Sequence, residues 1–196
     1  MLTTAEIVRS VYGAWRLAHA DPRGMAYFDA TEEGFWRSFR VAVLVAPLYA
    51  LLVLLSYGPP VEAMPAEATA SEARAIAVEL IAYAIGWMAY PLAVSFLATV
   101  LDRAREYVGY IVAYNWAQVL VVPYQLALLV IIRAGAELPV VVLHLVVLAA
   151  WLVPLVYAWF IARTALKTSS LVAAGLVAVD LLISFLLVLV RNAMIY

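Results

Sequence analysis

Charged residues divide this chain into long apolar blocks. Residues 41–57, 80–101, 107–132 and 138–162 carry no Asp, Glu, Lys or Arg, and residues 168–190 carry only Asp180. A helix needs about 20 apolar residues to cross a bilayer. Barrel strands alternate in and out over about ten residues, and none of these blocks alternates. The pattern therefore predicts an all-α polytopic membrane protein, a bundle of five transmembrane helices with spans at about 37–57, 74–101, 107–132, 138–162 and 168–190. The first block is short, and Trp36, Ser38 and Phe39 extend it through the interface.

The segment before span one has a different period. Ile7, Val11, Trp15 and Ala18 recur at helical spacing, with Arg9 and Arg16 on the other side, and Thr3 followed by Glu6 fits a capping box. This predicts an N-terminal interfacial amphipathic helix, its apolar side in the headgroups. "DPRG" at 21–24 ends it, and a second helix starts near Thr31 and runs into span one. The chain thus divides into a cytoplasmic or interfacial segment, 1–30, and a transmembrane domain, 31–196. The early residues mix both charges and hold no apolar h-region, so span one is expected to act as the insertion signal.

Composition agrees. The chain is 68% hydrophobic and 13% charged, where soluble domains are about half apolar and a quarter charged. The net charge of -1 argues against nucleic acid, which wants a basic stripe. Cysteine is absent, which removes disulfides and thiol chemistry. Lys167 is the lone lysine among twelve basic residues, a bias that fits a bacterial origin. With the N-terminus in the cytoplasm, Arg9, Arg16, Arg23, Arg37, Arg40, Arg103, Arg105, Arg163 and Lys167 lie inside, and Arg74, Arg133 and Arg191 outside. Positive charge favours the inner side, so the expected location is a bacterial inner membrane with the C-terminus outside. The loop at 58–73 is acidic, proline-rich and external on this topology. The tight turn "DRAREY" makes spans two and three antiparallel neighbours.

Polarity at depth is the candidate chemistry. Asp180 falls near the midplane of span five, where a carboxylate costs about 2.5–3.5 kcal/mol. Ser184 lies one turn along on the same face. On span three Asn115, Gln118 and Gln125 share a face, and depth matching at ~1.5 Å per residue makes Gln118 and Asn115 the expected partners of Asp180. Gln125, His144 on span four and Glu79 on span two fall nearer the outside at similar depth. A buried polar seam is therefore expected through Glu79, Gln125, His144, Gln118, Asn115, Asp180 and Ser184. In one reading it fixes helix register by interhelical hydrogen bonds; in the other it is a relay or ligand site.

Spans one to four each contain an interior proline, Pro47, Pro91, Pro123 and Pro154. Each removes a helical hydrogen bond and frees the carbonyl four residues back, here those of Val43, Trp87, Val119 and Ala150. These are candidate kinks. Small residues repeat every fourth position at Gly109, Ala113 and Ala117 and at Ser170, Ala174 and Ala178, the usual mark of close helix packing in membranes. Span three carries both a small stripe and the polar face, which places it at the bundle centre.

Walker, dinucleotide-glycine, HExxH and GxSxG motifs are absent. No acidic or histidine cluster has metal spacing, and no nucleophile has a base beside it. No enzymatic activity, cofactor or metal is expected. The layout, a cytoplasmic N-terminal segment with five spans and a far-side C-terminus, resembles the Yip1-like family over roughly residues 30–196. The resemblance lies in topology and length and assigns no functional residue. It implies an interaction protein, since the family's eukaryotic members look like trafficking scaffolds. The sequence thus suggests a non-enzymatic scaffold or accessory subunit, with membrane lipids and other membrane proteins or a second copy as partners. The alternative is a small transporter or channel, proton-linked through Asp180 and His144.

Overall fold

A computed structural model describes residues 2–57, 70–134 and 139–195. The expected acidic external loop falls largely outside these residues, as does most of the turn between spans three and four. Among the described residues seven α-helices follow one another: α1 (Thr4–Ala18), α2 (Glu32–Ser38), α3 (Val41–Tyr57), α4 (Ala70–Val100), α5 (Tyr107–Ala134), α6 (Val140–Ala165) and α7 (Ser170–Ile195). A 3₁₀ helix, Pro22–Tyr27, joins α1 to α2. No strand occurs among the described residues. Five helical stretches are long and apolar enough to cross a membrane: Glu32–Ser56, Arg74–Val100, Tyr107–Arg133, Val140–Ala165 and Ser170–Met194. The expected spans and these apolar stretches coincide to within five residues at each end, so this is an integral membrane fold.

The expected continuous second helix is interrupted. Thr31 caps α2 by accepting from the Gly34 N–H at 3.1 Å, and a turn at Phe39–Arg40 then separates α2 from α3. The Ser38 hydroxyl donates back to the Phe35 carbonyl at 2.7 Å. Such side-chain bonding to the preceding turn bends helices.

α5 is the hub. It packs against α3 on one side and α6 on the other, with α1 and α2 across its first turns, while α4 lies chiefly along α7 and α7 along α6. Ala113 and Ala117 are buried, as are Tyr110, Ile111, Val112 and Trp116 around them. The expected α4–α5 pairing holds only near their tight turn, where the Tyr107 hydroxyl donates to the Pro91 carbonyl at 3.0 Å. Farther along, a cavity separates the two helices. The second small-residue stripe behaves differently. Ser170, Ala174 and Ala178 are exposed on the outside of α7, which packs through Ala173, Leu176 and Val177 instead.

The end of the bundle holding α1, α2 and the α4–α5 turn, here the basal end, is the densely packed one. Ala14, Leu17, Val41, Val94, Ile161, Ala162, Leu166 and Ala173 belong to one buried cluster there. Half of the capping box forms, Thr3 Oγ1 accepting from the Glu6 N–H at 3.2 Å, while the Glu6 carboxylate accepts from Arg37 Nε at 3.1 Å. The Ile7–Val11–Trp15–Ala18 side, expected in the headgroups, divides: Ile7 and Val11 pack partly against the core, whereas Trp15 and Ala18 are exposed. Ser10, Gly13, Ala14 and Leu17 are buried, whereas Val8, Tyr12 and Trp15 point away. The reason is Gly13. A Cβ on it would lie 2.8 Å from Tyr27 Cβ and 2.9 Å from the Gly24 carbonyl, so α1 and the 3₁₀ helix touch backbone to backbone. The Tyr157 hydroxyl donates to the Ala14 carbonyl at 2.8 Å and ties α1 to α6.

Ion pairs lace this cap. Arg16 pairs with Asp21, and Arg23 Nε donates to the same carboxylate at 3.0 Å. Arg37 reaches Glu6 at 3.1 Å and also Asp29, so one guanidinium joins α1, the linker and α2. Hydrogen bonds from Arg23 and Arg16 hold the Asp21 carboxyl well below the usual carboxylate range. Asp29 is lowered too, first by its bond from Thr31 and then by the Arg37 charge. α1, α4 and α6 each end through a residue with positive φ, Ala20, Asp102 and Lys167. In each case the next N–H folds back on the last turn: Asp21 to Arg16, Arg103 to Ala98, Thr168 to Arg163. Glycine usually fills this position because it has no Cβ to clash.

Candidate functional site

α5 and α7 flank a gap in the distal half of the bundle, where few side chains are fully buried. Two cavities of ≈ 290 and ≈ 280 Å³ occupy it, and both are lined by Tyr114, Gln118 and Gln125 of α5 and by Ser184 of α7. The first is walled by α3 and α4 through Tyr49, Tyr83 and Trp87, with Arg191 also lining it. The second is walled by α6 through Ala150, Trp151, Pro154 and Ala158, and Asp180 lines it.

Asp180 points inward, as the seam requires, but its partner is a tyrosine. The Tyr114 hydroxyl lies 3.0 and 3.1 Å from its two carboxylate oxygens. Beneath them on the basal side, the Tyr110 and Tyr90 hydroxyls are 2.5 Å apart, and Tyr90 lies 3.4 Å from the Leu176 carbonyl. A hydroxyl has one proton to donate, so the chain runs from Tyr110 to Tyr90 to Leu176. The Tyr90 and Tyr114 rings stack with centroids 4.7 Å apart. Apolar packing and satisfied hydroxyls thus close the basal floor of the site.

The rest of the expected seam divides into four parts. Gln118, Gln125 and Ser184 face the cavities, and their side chains form no hydrogen bond among the described residues. Asn115 turns away from Asp180 and donates to Ser38 Oγ at 2.9 Å, wholly buried, with its own Oδ1 left without a partner. It is one residue from Tyr114, which faces Asp180, and ~100° of helical turn per residue carries it off that face to the α2 side of α5. Glu79 meets Arg191, Oε1 to Nη1 3.2 Å, at the distal end of α4 and α7. His144 is exposed on the outer face of α6 and lines neither cavity, so it does not join the seam. Depth matching had placed it level with Gln125, but depth does not set the direction in which a side chain leaves its helix. Among the described residues no group of His, Asp and Glu could hold a metal ion.

The prolines sit inside α3, α4, α5 and α6. Two of the carbonyls beside their gaps are served by tyrosines of neighbouring helices. Tyr83 donates to the Ala42 carbonyl at 2.6 Å, five residues before Pro47, and Tyr124 to the Ala149 carbonyl at 3.0 Å, five before Pro154. Ala150, whose carbonyl loses its partner to Pro154, lines the second cavity.

No family model matches the chain, and no curated protein or solved structure is significantly similar to it. Its function is therefore argued from this site.

Tyr114, Arg191 and Ser38 are the site residues that sequence reasoning missed. Tyr107, Tyr110 and Tyr114 stand at spacings of three and four on α5, a stripe of hydroxyls that could have marked the face turned to α7. Glu79 and Arg191 are opposite charges at matching depth on spans two and five.

Proposed function

We propose that this chain is a small membrane transporter whose solute site is the gap between α5 and α7. One observation carries the reading: Gln118 and Gln125 present side-chain amides, unbonded by the protein, to cavities beside an intramembrane carboxylate. An amide away from water costs about 1–3 kcal/mol without a hydrogen bond, so an amide kept there is best explained by a partner that comes and goes. Cavities of ≈ 280–290 Å³ lie at the small end of ligand sites, which favours a small solute. Asp180 is the group that can exchange a proton during the cycle; His144 has no part in it.

The excess of basic residues at the basal end supports a cytoplasmic N-terminus and an outward C-terminus, and the lysine-poor composition supports a bacterial inner membrane. Val8, Tyr12 and Trp15 form an outward stripe on α1 at helical spacing, and this supports contact between α1 and the headgroup layer.

The test is uptake by proteoliposomes of labelled amines, amino acids, sugars and carboxylates. The wild-type protein should take up at least one class, and Asp180→Asn should lose it. Folded, monodisperse wild-type protein that takes up none of them refutes the reading. A second reading, an accessory subunit, draws on the exposed Ser170, Ala174 and Ala178 stripe of α7, which offers a partner helix close approach, and on the Yip1-like layout. It predicts no uptake and co-purification of a partner that Ala174→Leu disrupts.

A further inference from the structure

We infer that the solute is a small organic ammonium ion, held in the cavity between α5, α6 and α7; this rests on the reading of that gap as a solute site. Four observations converge on a cation. Asp180 lines this cavity, its protein partner is the neutral Tyr114 hydroxyl, and it forms no ion pair among the described residues. The other polar groups on the walls supply acceptors: the amide oxygens of Gln118 and Gln125 and the Ser184 hydroxyl. Ala150, whose carbonyl Pro154 strips of its helical donor, adds a fourth. An ammonium offers three N–H donors and no acceptor, which matches such a set.

The aromatic surface agrees. Trp151 stands at the rim, 65% exposed and lining the cavity, and an indole face attracts a cation within about 6 Å. Leu155, Ala158 and Ile161 line the rest of the wall and suit a hydrocarbon body. An anion is disfavoured beside the carboxylate. The neighbouring cavity differs in this respect, since Arg191 lines it and Asp180 does not, so the two halves of the gap are chemically unlike. The cation belongs in the α6 half.

The experiment uses the full chain in lipid nanodiscs and three probes of one shape: benzylammonium, benzyl alcohol and benzoate. Binding is followed by tryptophan fluorescence and checked by calorimetry. Benzylammonium should bind at least ~10-fold tighter than either other probe. Asp180→Asn, a near-isosteric change that keeps an acceptor for Tyr114, should erase that preference. Ala158→Phe, which fills the cavity from α6, should remove binding altogether. If benzyl alcohol or benzoate binds as well as benzylammonium and Ala158→Phe abolishes it, the ammonium assignment fails while the solute site stands. If benzylammonium binds but Asp180→Asn leaves its preference intact, the assignment also fails. If no probe binds at ~10 mM, the assignment is overturned, and the uptake panel alone then judges the site.

Discussion

The buried bridge between α5 and α2 gives a sharp test of how this fold is held. Asn115 Nδ2 donates to Ser38 Oγ at 2.9 Å, and both residues are 0% exposed. Ser38 passes its own proton to the Phe35 carbonyl, while Asn115 Oδ1 has no partner. Ser38→Ala removes the acceptor and strands the whole amide. A buried donor left unmatched costs about 1–3 kcal/mol, so the loss should fall in that range. Asn115→Leu acts differently. It removes the donor and the orphan carbonyl together, leaves Ser38 its bond to Phe35 and keeps the branched shape of the side chain, so it should cost less than Ser38→Ala. Combining the two removes the stranded amide, and the double variant should be more stable than the sum of the singles predicts. Interhelical bonds in membranes couple by about 0.6 kcal/mol on average and up to about 1.7; full burial places this pair toward the upper end. Steric trapping in bicelles measures the three variants reversibly. Additivity within ~0.3 kcal/mol, or a Ser38→Ala variant as stable as wild type, would refute the view that this bond latches α2 to α5.

Three further outcomes follow from the packing. Asp21 and Asp29 both have lowered folded values, so their contribution is present above the ordinary carboxylate range and is lost as pH falls through the depressed values. The α1–α2 cap should stay protected from hydrogen exchange at pH 5–7 and loosen below about pH 4; Asp21→Asn should loosen it already at neutral pH. Glu79→Ala leaves Arg191, 8% exposed, without its carboxylate, and should cost about 3 kcal/mol, much of it recovered when Arg191→Leu is added. Gly24→Ala drives a Cβ to 2.6 Å from the Gly13 carbonyl and should cost about 1–3 kcal/mol, read as faster proteolysis of α1 while the five spans stay intact.

The sequence made depth legible and direction illegible. Uncharged runs marked the spans because hydrocarbon tolerates few charges, and each run lies within or close to one helix, although α4 begins ten residues before its run. Asp180 and its α5 partner were set at the right level, for Tyr114 and the expected Asn115 are adjacent. Which of them faces α7 depends on how α5 is rotated, and an all-round apolar helix says little about rotation. Asn115 therefore went to Ser38, and His144 to the outer face of α6. Which side of α1 docks on the bundle was not legible either, because backbone contact at Gly13 and Gly24 decides it and small residues leave no mark on a hydrophobic pattern. The α7 stripe of Ser170, Ala174 and Ala178 shows the converse, small residues whose side chains are exposed on the outside of the bundle.

The Tyr157 bond to the Ala14 carbonyl joins positions 143 residues apart. A ribosome adding ~5–20 residues per second makes the second partner roughly 7–29 s after the first. Through that interval α1 has been synthesised but has no seat, because the α6 turn that receives it has yet to enter the bilayer. The bond that ties α1 to α6 can form only once the residues up to Tyr157 have been made. α1 therefore docks late, after most of the bundle it caps has been synthesised.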